Sequence, residues 1–207
     1  MRRSGKVAAP YWSPDGSWLA FQVIAGREAD IYVVGATGGE ARRLTSHPAR
    51  DVQPTVSRDG RWVYFGSNRS GEYSIWRIPA EGGEADQVTA GGGDRFALES
   101  LDGKKLYYSD SESLWSRRID GGPPTLELRP FLINMDWAIG PSGMYFKTRA
   151  KAGTVDFYDF GSRSANTVME FDEDTYTGFS LAPDGESILY VRGAPVEADI
   201  MITQRFR

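Results

Sequence analysis

The sequence contains no cysteine and only one histidine, His47, among its 207 residues. Without cysteine, the chain has no disulfide framework, no thiolate metal site and no cysteine nucleophile. One histidine cannot build a metal cluster without several carboxylates. No G-x-S-x-G nucleophile elbow accompanies His47, so we interpret this residue as a solvated loop residue rather than a catalytic base.

Long hydrophobic runs are also missing, and neither sign of charge dominates. No apolar stretch approaches the roughly 18 residues that a membrane-spanning helix needs. The basic start, Met1–Lys6, is followed by no apolar h-region and is therefore not a signal peptide as it stands. A net charge of −4 argues against direct nucleic-acid binding by this segment. We expect a cytoplasmic location by default, and a periplasmic one if an upstream anchor is missing.

What the sequence does contain is a repeat with a period near 42 residues. The first copy runs from Trp12-Ser13-Pro14-Asp15-Gly16 through an apolar strand, an Ile-Tyr pair and a Gly-Gly pair to Leu44-Thr45. The second copy follows the same order and ends at Val88-Thr89. One glycine marks the first turn of each copy, and these glycines are Gly16, Gly60, Gly103, Gly143 and Gly185.

Each repeat begins with the chemistry of a tight hairpin turn. In Pro14-Asp15-Gly16, proline pre-sets φ for a type I turn and glycine takes the left-handed conformation that follows it. We therefore interpret the recurring aspartates as turn residues and not as metal ligands or an acid-base pair; they are Asp15, Asp59, Asp102 and Asp184. The acidic run Glu170–Asp174 is interpreted as a solvated loop.

Four short strands per 42 residues, separated by turns, are typical of one propeller blade. The sequence therefore predicts an all-β propeller of about five four-stranded blades, with almost no helix. As one domain over residues 1–207, its repeats span approximately 7–45, 51–89, 94–128, 135–170 and 176–207. Closure stays open: either the five blades form a ring, with residues 2–7 as a fourth strand for the last blade, or the chain is a fragment of a ring of six to eight.

These motifs resemble the TolB-like β-propeller family, a relative of WD repeats. The resemblance is clearest over Tyr11–Thr45 and Pro54–Thr89 and weakest in the fourth copy. The ending, Asp199–Arg207, resembles the C-terminal propeller of bacterial winged-helix regulators or kinases. The resemblance implies a sensor or interaction module, with any DNA binding located in another part of such a regulator.

A binding face is expected where loops joining blades lie beside loops joining the second and third strands, around the channel. The predicted loops span residues 46–53, 68–72, 90–95, 133–137 and 172–177. Charged and aromatic residues placed there suit a protein or peptide partner. These candidates are Arg50, Asp51, Arg69, Asp94, Arg95, Trp137 and Tyr176.

The sequence thus favours a noncatalytic binding or sensing module without cofactor or metal, signalling through a protein partner or through a small ligand in the channel. Two alternatives from other classes stay open. The first is an accessory gating propeller of a prolyl-oligopeptidase-type hydrolase. The second is a metal-dependent propeller hydrolase, for which we find no converging set of ligands in the sequence.

Overall fold

The computed structural model describes residues 5–90, 92–110, 112–131, 133–148, 153–171, 175–182, 185, 187–194 and 197–204. The chain divides into two compact units, Met1–Leu126 and Glu127–Arg207. Strands are the only regular elements among the described residues, as the sequence predicts. No helix in this part of the chain is long and apolar enough to cross a membrane.

Three four-stranded antiparallel sheets make up the first unit and its boundary. The first sheet contains β1 (Lys6–Trp12), β2 (Trp18–Ala25), β3 (Glu28–Gly35) and β4 (Arg42–Arg43). The second contains β5 (Asp51–Val56), β6 (Trp62–Ser70), β7 (Glu72–Pro79) and β8 (Asp86–Gln87). The third contains β9 (Phe96–Glu99), β10 (Lys105–Ser109), β11 (Leu114–Arg118) and β12 (Thr125–Leu128), the last of which spans the unit boundary.

The second unit contains two further sheets. The fourth sheet has β13 (Ile133–Ile139), β14 (Gly143–Thr148), β15 (Thr154–Asp159) and β16 (Ser164–Glu170). The fifth has three strands, β17 (Thr175–Leu181), β18 (Ser187–Ala194) and β19 (Glu197–Gln204). Every sheet joins its strands in chain order, which is the meander expected of a blade.

The first hairpin turn of a sheet is held by a serine and an aspartate two residues apart. The Ser13 hydroxyl donates to Asp15 at 2.7 Å and accepts the Trp18 amide at 3.0 Å. Gly16 follows with φ +69°. The same bonds recur at Ser57 with Asp59 and at Ser100 with Asp102. These three aspartates are therefore turn residues, as predicted, while Asp184 lies outside the described residues.

The fourth sheet departs from this turn, and the sequence interpretation of Gly143 is corrected. Gly143 is absent from the residues with positive φ and lies inside β14. The Gly140 amide donates to the Gly143 carbonyl at 2.8 Å, which closes a shorter hairpin than the Ser13–Trp18 turn. A Cβ at Gly143 would lie 2.2 Å from the Tyr158 carbonyl oxygen and 2.3 Å from the Phe157 ring. Glycine is required there by close approach, not by turn conformation.

The core of the first unit lies between the sheets. Between the first and second sheets, buried apolar residues form one cluster: Ala20, Ile31, Val33, Leu44, Val56, Val63, Phe65 and Ile78. Between the second and third sheets, a second cluster contains Tyr64, Ile75, Ala97, Leu106 and Tyr108. Each sheet of this unit thus buries apolar and aromatic side chains against the next one, as blades of a propeller do.

The first strands of four sheets share a register shift that the sequence does not reveal. In β1 the shift lies between Ala8 and Tyr11, and in β5 between Val52 and Thr55. Ala9 and Gln53 sit in these shifts with positive φ, as bulged residues do. β13 and β17 shift at corresponding places. Lys6 and Val7 pair with β2 of the first sheet, so these two residues are not the missing outer strand of the fifth.

Candidate functional site

Two loops that join successive sheets meet the β6–β7 hairpin at one end of the first unit; we call this region the loop end. Arg50 lies at the first junction. Its backbone amide donates to the Asn68 side chain at 2.9 Å, and its guanidinium donates to the Arg27 carbonyl at 3.1 Å. A further β-bridge joins Arg50 to Ala29. The loop before β5 is therefore fixed to both neighbouring hairpins.

Beneath this junction lies a buried ion pair between β5 and β6. The Arg69 guanidinium lies 2.8 Å from the carboxylate of Asp51, whose side chain is fully buried. The Ser67 hydroxyl accepts a second bond from Arg69 at 3.0 Å. The guanidinium also lies 5.2 Å from the Phe65 ring centroid and 4.8 Å from that of Trp76. Arg69 thus ties the first strand of the second sheet to its hairpin, with two rings covering the charge.

The second junction is built around Asp94, which is almost completely buried. Thr89 accepts the Ile75 amide at 2.9 Å and donates to Asp94 at 2.6 Å. Burial raises the pKa of Asp94 to about 7, the charge of Asp110 adds to this rise, and the hydrogen bond from Thr89 opposes it. The carboxyl therefore changes charge near neutral pH, unlike an ordinary surface aspartate.

Arg95 follows directly and is exposed. Its guanidinium lies 4.2 Å from the ring centroid of Tyr73, on the β6–β7 hairpin. The Arg95 backbone packs so closely on Gly66 that a Cβ there would lie 2.6 Å from the Arg95 carbonyl oxygen. The Gly93 amide also donates to the Tyr73 carbonyl at 3.1 Å. Arg95 is therefore presented from a fixed backbone.

The two remaining candidates lie in the second unit. Trp137 is buried in β13, with its ring edge-on to Phe131 at 6.2 Å between centroids. The backbone of Tyr176 belongs to β17, and its side chain lies outside the described residues. The predicted acidic loop falls outside them as well over residues 172–174.

The structure corrects where several candidates lie. Asp51, Trp137 and Tyr176 belong to first strands of their sheets rather than to loops. Arg69 lies on β6. The polar residues suggested loops, whereas the strands continue through them by pairing. Because Asp51, Asp94 and Trp137 are buried, their side chains do not face solvent.

The described side chains of the loop end supply hydrogen bonds and charge. Among the residues that the structure describes, no group of three His, Cys, Asp or Glu side chains could hold a metal ion. His47 is exposed, and its Nδ1 accepts the Ala49 amide at 3.1 Å, which fits its interpretation as a loop residue. Gln22 was not among the residues predicted from the sequence. Its side-chain oxygen accepts the amide of the bulged residue Gln53 at 2.7 Å. The spacing of the repeat was the only feature of the sequence that could have indicated this contact.

Successive antiparallel sheets of one repeat, packed through apolar and aromatic faces, define a β-propeller. Residues 1–120 match the family described as the TolB beta propeller domain. The chain belongs to this family. That result confirms the TolB-like resemblance drawn from the Ser-Pro-Asp-Gly, Ile-Tyr, Gly-Gly and Leu-Thr motifs.

Individual relatives match smaller parts. The Tol-Pal system protein TolB of Anaeromyxobacter dehalogenans strain 2CP-1 is 54% identical over 44 residues, which are 21% of this chain and 10% of that protein. The crystal structure of TolB from Acinetobacter baumannii superposes with a TM-score of 0.73 at 17% identity, over 97% of this chain and 52% of that one. The chain therefore spans about half the length of that TolB structure.

Propellers of enzymes share the fold as well. One structure from a study of two prolyl endopeptidases superposes with a TM-score of 0.65 at 16% identity. The match covers 96% of this chain and 34% of the enzyme. Likeness at this identity shows a common fold alone, because one fold carries many functions.

Proposed function

We propose that this chain is a noncatalytic interaction module that binds a protein or peptide partner through the loop end. The observation that carries the proposal is the presentation of Arg50 and Arg95 at two junctions built from the same β6–β7 hairpin. Arg50 is bonded to Asn68 on that hairpin, and Arg95 lies on its Tyr73. Rigidly placed guanidinium groups lose little freedom on binding, which favours recognition of a partner.

The chemistry of this surface favours acidic partners. Arg50 and Arg95 contribute guanidinium groups to the loop end, and the Tyr73 ring lies against the guanidinium of Arg95. Arginine and tyrosine are enriched at protein interfaces, because both combine hydrogen bonding with apolar contact. Complementary charge on a partner would raise its association rate and fix its orientation. A small ligand in the channel is a second form of the same proposal.

The partner and the setting are proposals too. The curated relative carries a name that places it in the Tol-Pal system, and membership of the TolB beta propeller domain family supports a role in protein contacts. From the resemblance of the final residues, Asp199–Arg207, we also propose that the propeller is the C-terminal part of a bacterial transcriptional regulator. Immunoblotting of cells that naturally express the chain would test this, since a regulator would migrate well above 22.9 kDa.

Site-specific crosslinking tests the binding surface. A photo-reactive amino acid is placed at Arg50 or Arg95, and at Arg61 as the control, in cells that naturally express the chain. Arg61 is exposed at the opposite end of β6, where it pairs with Asp59. We expect one protein adduct from Arg50 and Arg95 and none from Arg61.

Binding measurements with the captured protein complete the test. We expect Arg50→Glu and Arg95→Glu to weaken its affinity at least about tenfold, since each reverses a charge at the contact. Arg61→Glu should leave the affinity unchanged. Equal crosslinking from Arg61, or no adduct from either loop position, contradicts the proposal.

An accessory propeller of a prolyl-oligopeptidase-type hydrolase is a second candidate, favoured by the likeness to the prolyl endopeptidase structure. It predicts that hydrolysis of a chromogenic prolyl peptide copurifies with the chain from its native cells. A metal-dependent propeller hydrolase instead predicts a higher melting temperature with calcium or zinc. The interaction module predicts neither effect.

A further inference from the structure

A crevice of about 250 Å³ lies between the outer strands of the second and third sheets, away from the loop end. Its walls include Tyr64 and Arg77 from the second sheet and Arg117 and Arg118 from β11. All four residues belong to the first unit. Three guanidinium groups therefore line one small opening at a junction between sheets.

The repeat supplies an internal comparison for this crevice. Val33 pairs with Ala20, and Arg77 pairs with Tyr64, which follows its own turn glycine by the same number of residues. Similarly, Ile78 pairs with Val63 and Arg117 pairs with Leu106. Arg77 therefore holds in the second sheet the position of Val33 in the first sheet, and Arg117 holds in the third sheet the position of Ile78 in the second.

The two junctions differ in chemistry at these positions. At the interface between the first and second sheets, Val33 and Ile78 belong to one buried apolar cluster. At the interface between the second and third sheets, the corresponding residues are Arg77 and Arg117. Two like charges have replaced two core residues, which is unfavourable at an interface unless something of opposite charge compensates for them.

The described carboxylates compensate for these charges only in part. Arg77 lies 3.6 Å from Asp86, an exposed residue, and its Nε is buried without a hydrogen-bond partner among the described groups. Its guanidinium also covers the Trp62 ring at 4.3 Å. Arg117 donates to the Val88 carbonyl, and no ion pair joins Arg117 to a described carboxylate.

Two nearby acids are occupied by other groups. Glu99 accepts the Tyr64 hydroxyl at 2.7 Å through one oxygen and the Arg58 amide at 2.7 Å through the other. Arg118 and Asp120 form an exposed ion pair with each other at the mouth of the crevice. The hydrogen bonds to Glu99 come from neutral groups, so Glu99 keeps its charge, but it forms no ion pair with Arg77 or Arg117. Arg77 therefore has one exposed carboxylate partner and an Nε–H without a partner among the described residues, and these donors are what the crevice offers to a ligand.

We propose that this crevice binds a small oxyanion, a carboxylate or phosphate group, through the guanidinium groups of Arg77 and Arg117, with Arg118 at its mouth. Planar guanidinium groups match both anions by paired N–H donation. The crevice has room for a small ligand of this kind, and its apolar wall, which includes Leu106 and Ile119, accommodates the carbon skeleton of a carboxylic acid. The site is separate from the surface proposed for the protein partner.

Titration of the full chain with inorganic phosphate or with succinate tests the proposal, against chloride at matched ionic strength. The Nε–Hε resonances of the arginines are followed by NMR. We expect saturable shifts of Arg77 and Arg117 with at least one anion, and the two titrations show whether phosphate or carboxylate binds. Arg77→Gln and Arg117→Gln should each weaken binding about tenfold or more, because each removes a charge-assisted contact.

The matched control is Arg61→Gln, which removes an exposed arginine from the turn before β6 and should leave the titration unchanged. Shifts that are linear in ionic strength, or that persist in both crevice variants, overturn the proposal. The double variant Arg77→Val with Arg117→Ile restores the apolar residues of the first junction. It should melt higher than the original chain in chloride and lose the response to both anions; a lower melting temperature in chloride would show that the arginines stabilise the junction by themselves and would overturn the argument.

Discussion

Replacing Arg69 by methionine is expected to destabilise the second sheet strongly, because the buried carboxylate of Asp51 loses its ion-pair partner. The Asp51 side chain is 0% exposed and that of Arg69 only 12%. One Asp51 oxygen already lacks a hydrogen-bond partner among the described residues, so the other depends on Arg69. Breaking a buried pair by removing one partner costs about 3–5 kcal/mol.

Methionine retains part of the contact with the rings of Phe65 and Trp76, so the loss of packing is small beside the loss of the charge partner. We expect the free energy of unfolding to fall by about 3–4 kcal/mol. For a chain of this size, that corresponds to a melting temperature lower by roughly 10 °C. Urea unfolding followed by tryptophan fluorescence measures the change.

The double variant Asp51→Val with Arg69→Met separates a lost pair from a stranded charge. Val7 holds the corresponding position of β1, opposite Val23, so valine suits the backbone there. Replacing both members of a buried pair by apolar residues is often close to neutral. We therefore expect the double variant to be at least about 2 kcal/mol more stable than Arg69→Met alone.

Arg61→Met is the control, because its partner Asp59 is exposed and such pairs contribute about 1 kcal/mol or less. Two results would refute the reasoning. One is a loss below about 1 kcal/mol for Arg69→Met, comparable with the control. The other is a double variant as unstable as the single one, which would show that Arg69 acts through packing and not through Asp51.

The remaining predictions concern pH and backbone geometry. Burial raises the pKa of Asp94 to about 7, so its contribution to stability is complete below about pH 4 and is lost as the pH rises to 7. Asp94→Asn should therefore be up to about 4 kcal/mol more stable than the original chain at pH 8 and equal to it at pH 4. A difference in unfolding free energy that does not vary with pH in chemical denaturation would disprove this. Gly60→Val should cost about 1–3 kcal/mol, because it forces a β-branched residue to φ +71°, and an unchanged melting temperature would contradict the turn assignment. Gly143→Ala should also lower the melting temperature, here by collision with Tyr158 and Phe157, and tolerance of alanine would show that β14 and β15 can separate.

Much of the fold could be predicted because the turns of the repeat depend on interactions between residues close together in the sequence. A Ser-x-Asp-Gly turn satisfies its own backbone within six residues, as at Ser13–Trp18, so it is visible in the sequence. Strand length, aromatic content and the Gly-Gly pairs are local as well. These signals led to the all-β propeller and to the TolB-like family without reference to distant contacts.

The candidate site was predicted only in outline, because burial is not a local property. Arg50 and Arg95 lie in loops that join successive sheets, and their role in binding a partner stays a prediction. Asp51 and Trp137 look like loop residues in sequence, yet pairing with β6 and β14 draws them into strands. The spacing of the fourth copy also suggested a turn glycine at Gly143, although a shorter hairpin places that glycine inside a strand.

The sequence by itself determined the period, the turns and the class of fold, since each depends on residues within a few positions of one another. Tertiary structure alone decided which charges are buried and which face each other. Asp51 meets Arg69 across 18 residues, and Arg77 shares a crevice with Arg117, because neighbouring strands and sheets bring distant positions together. Their energies depend on how much water the packing of the sheets excludes, and no pattern along the chain records that.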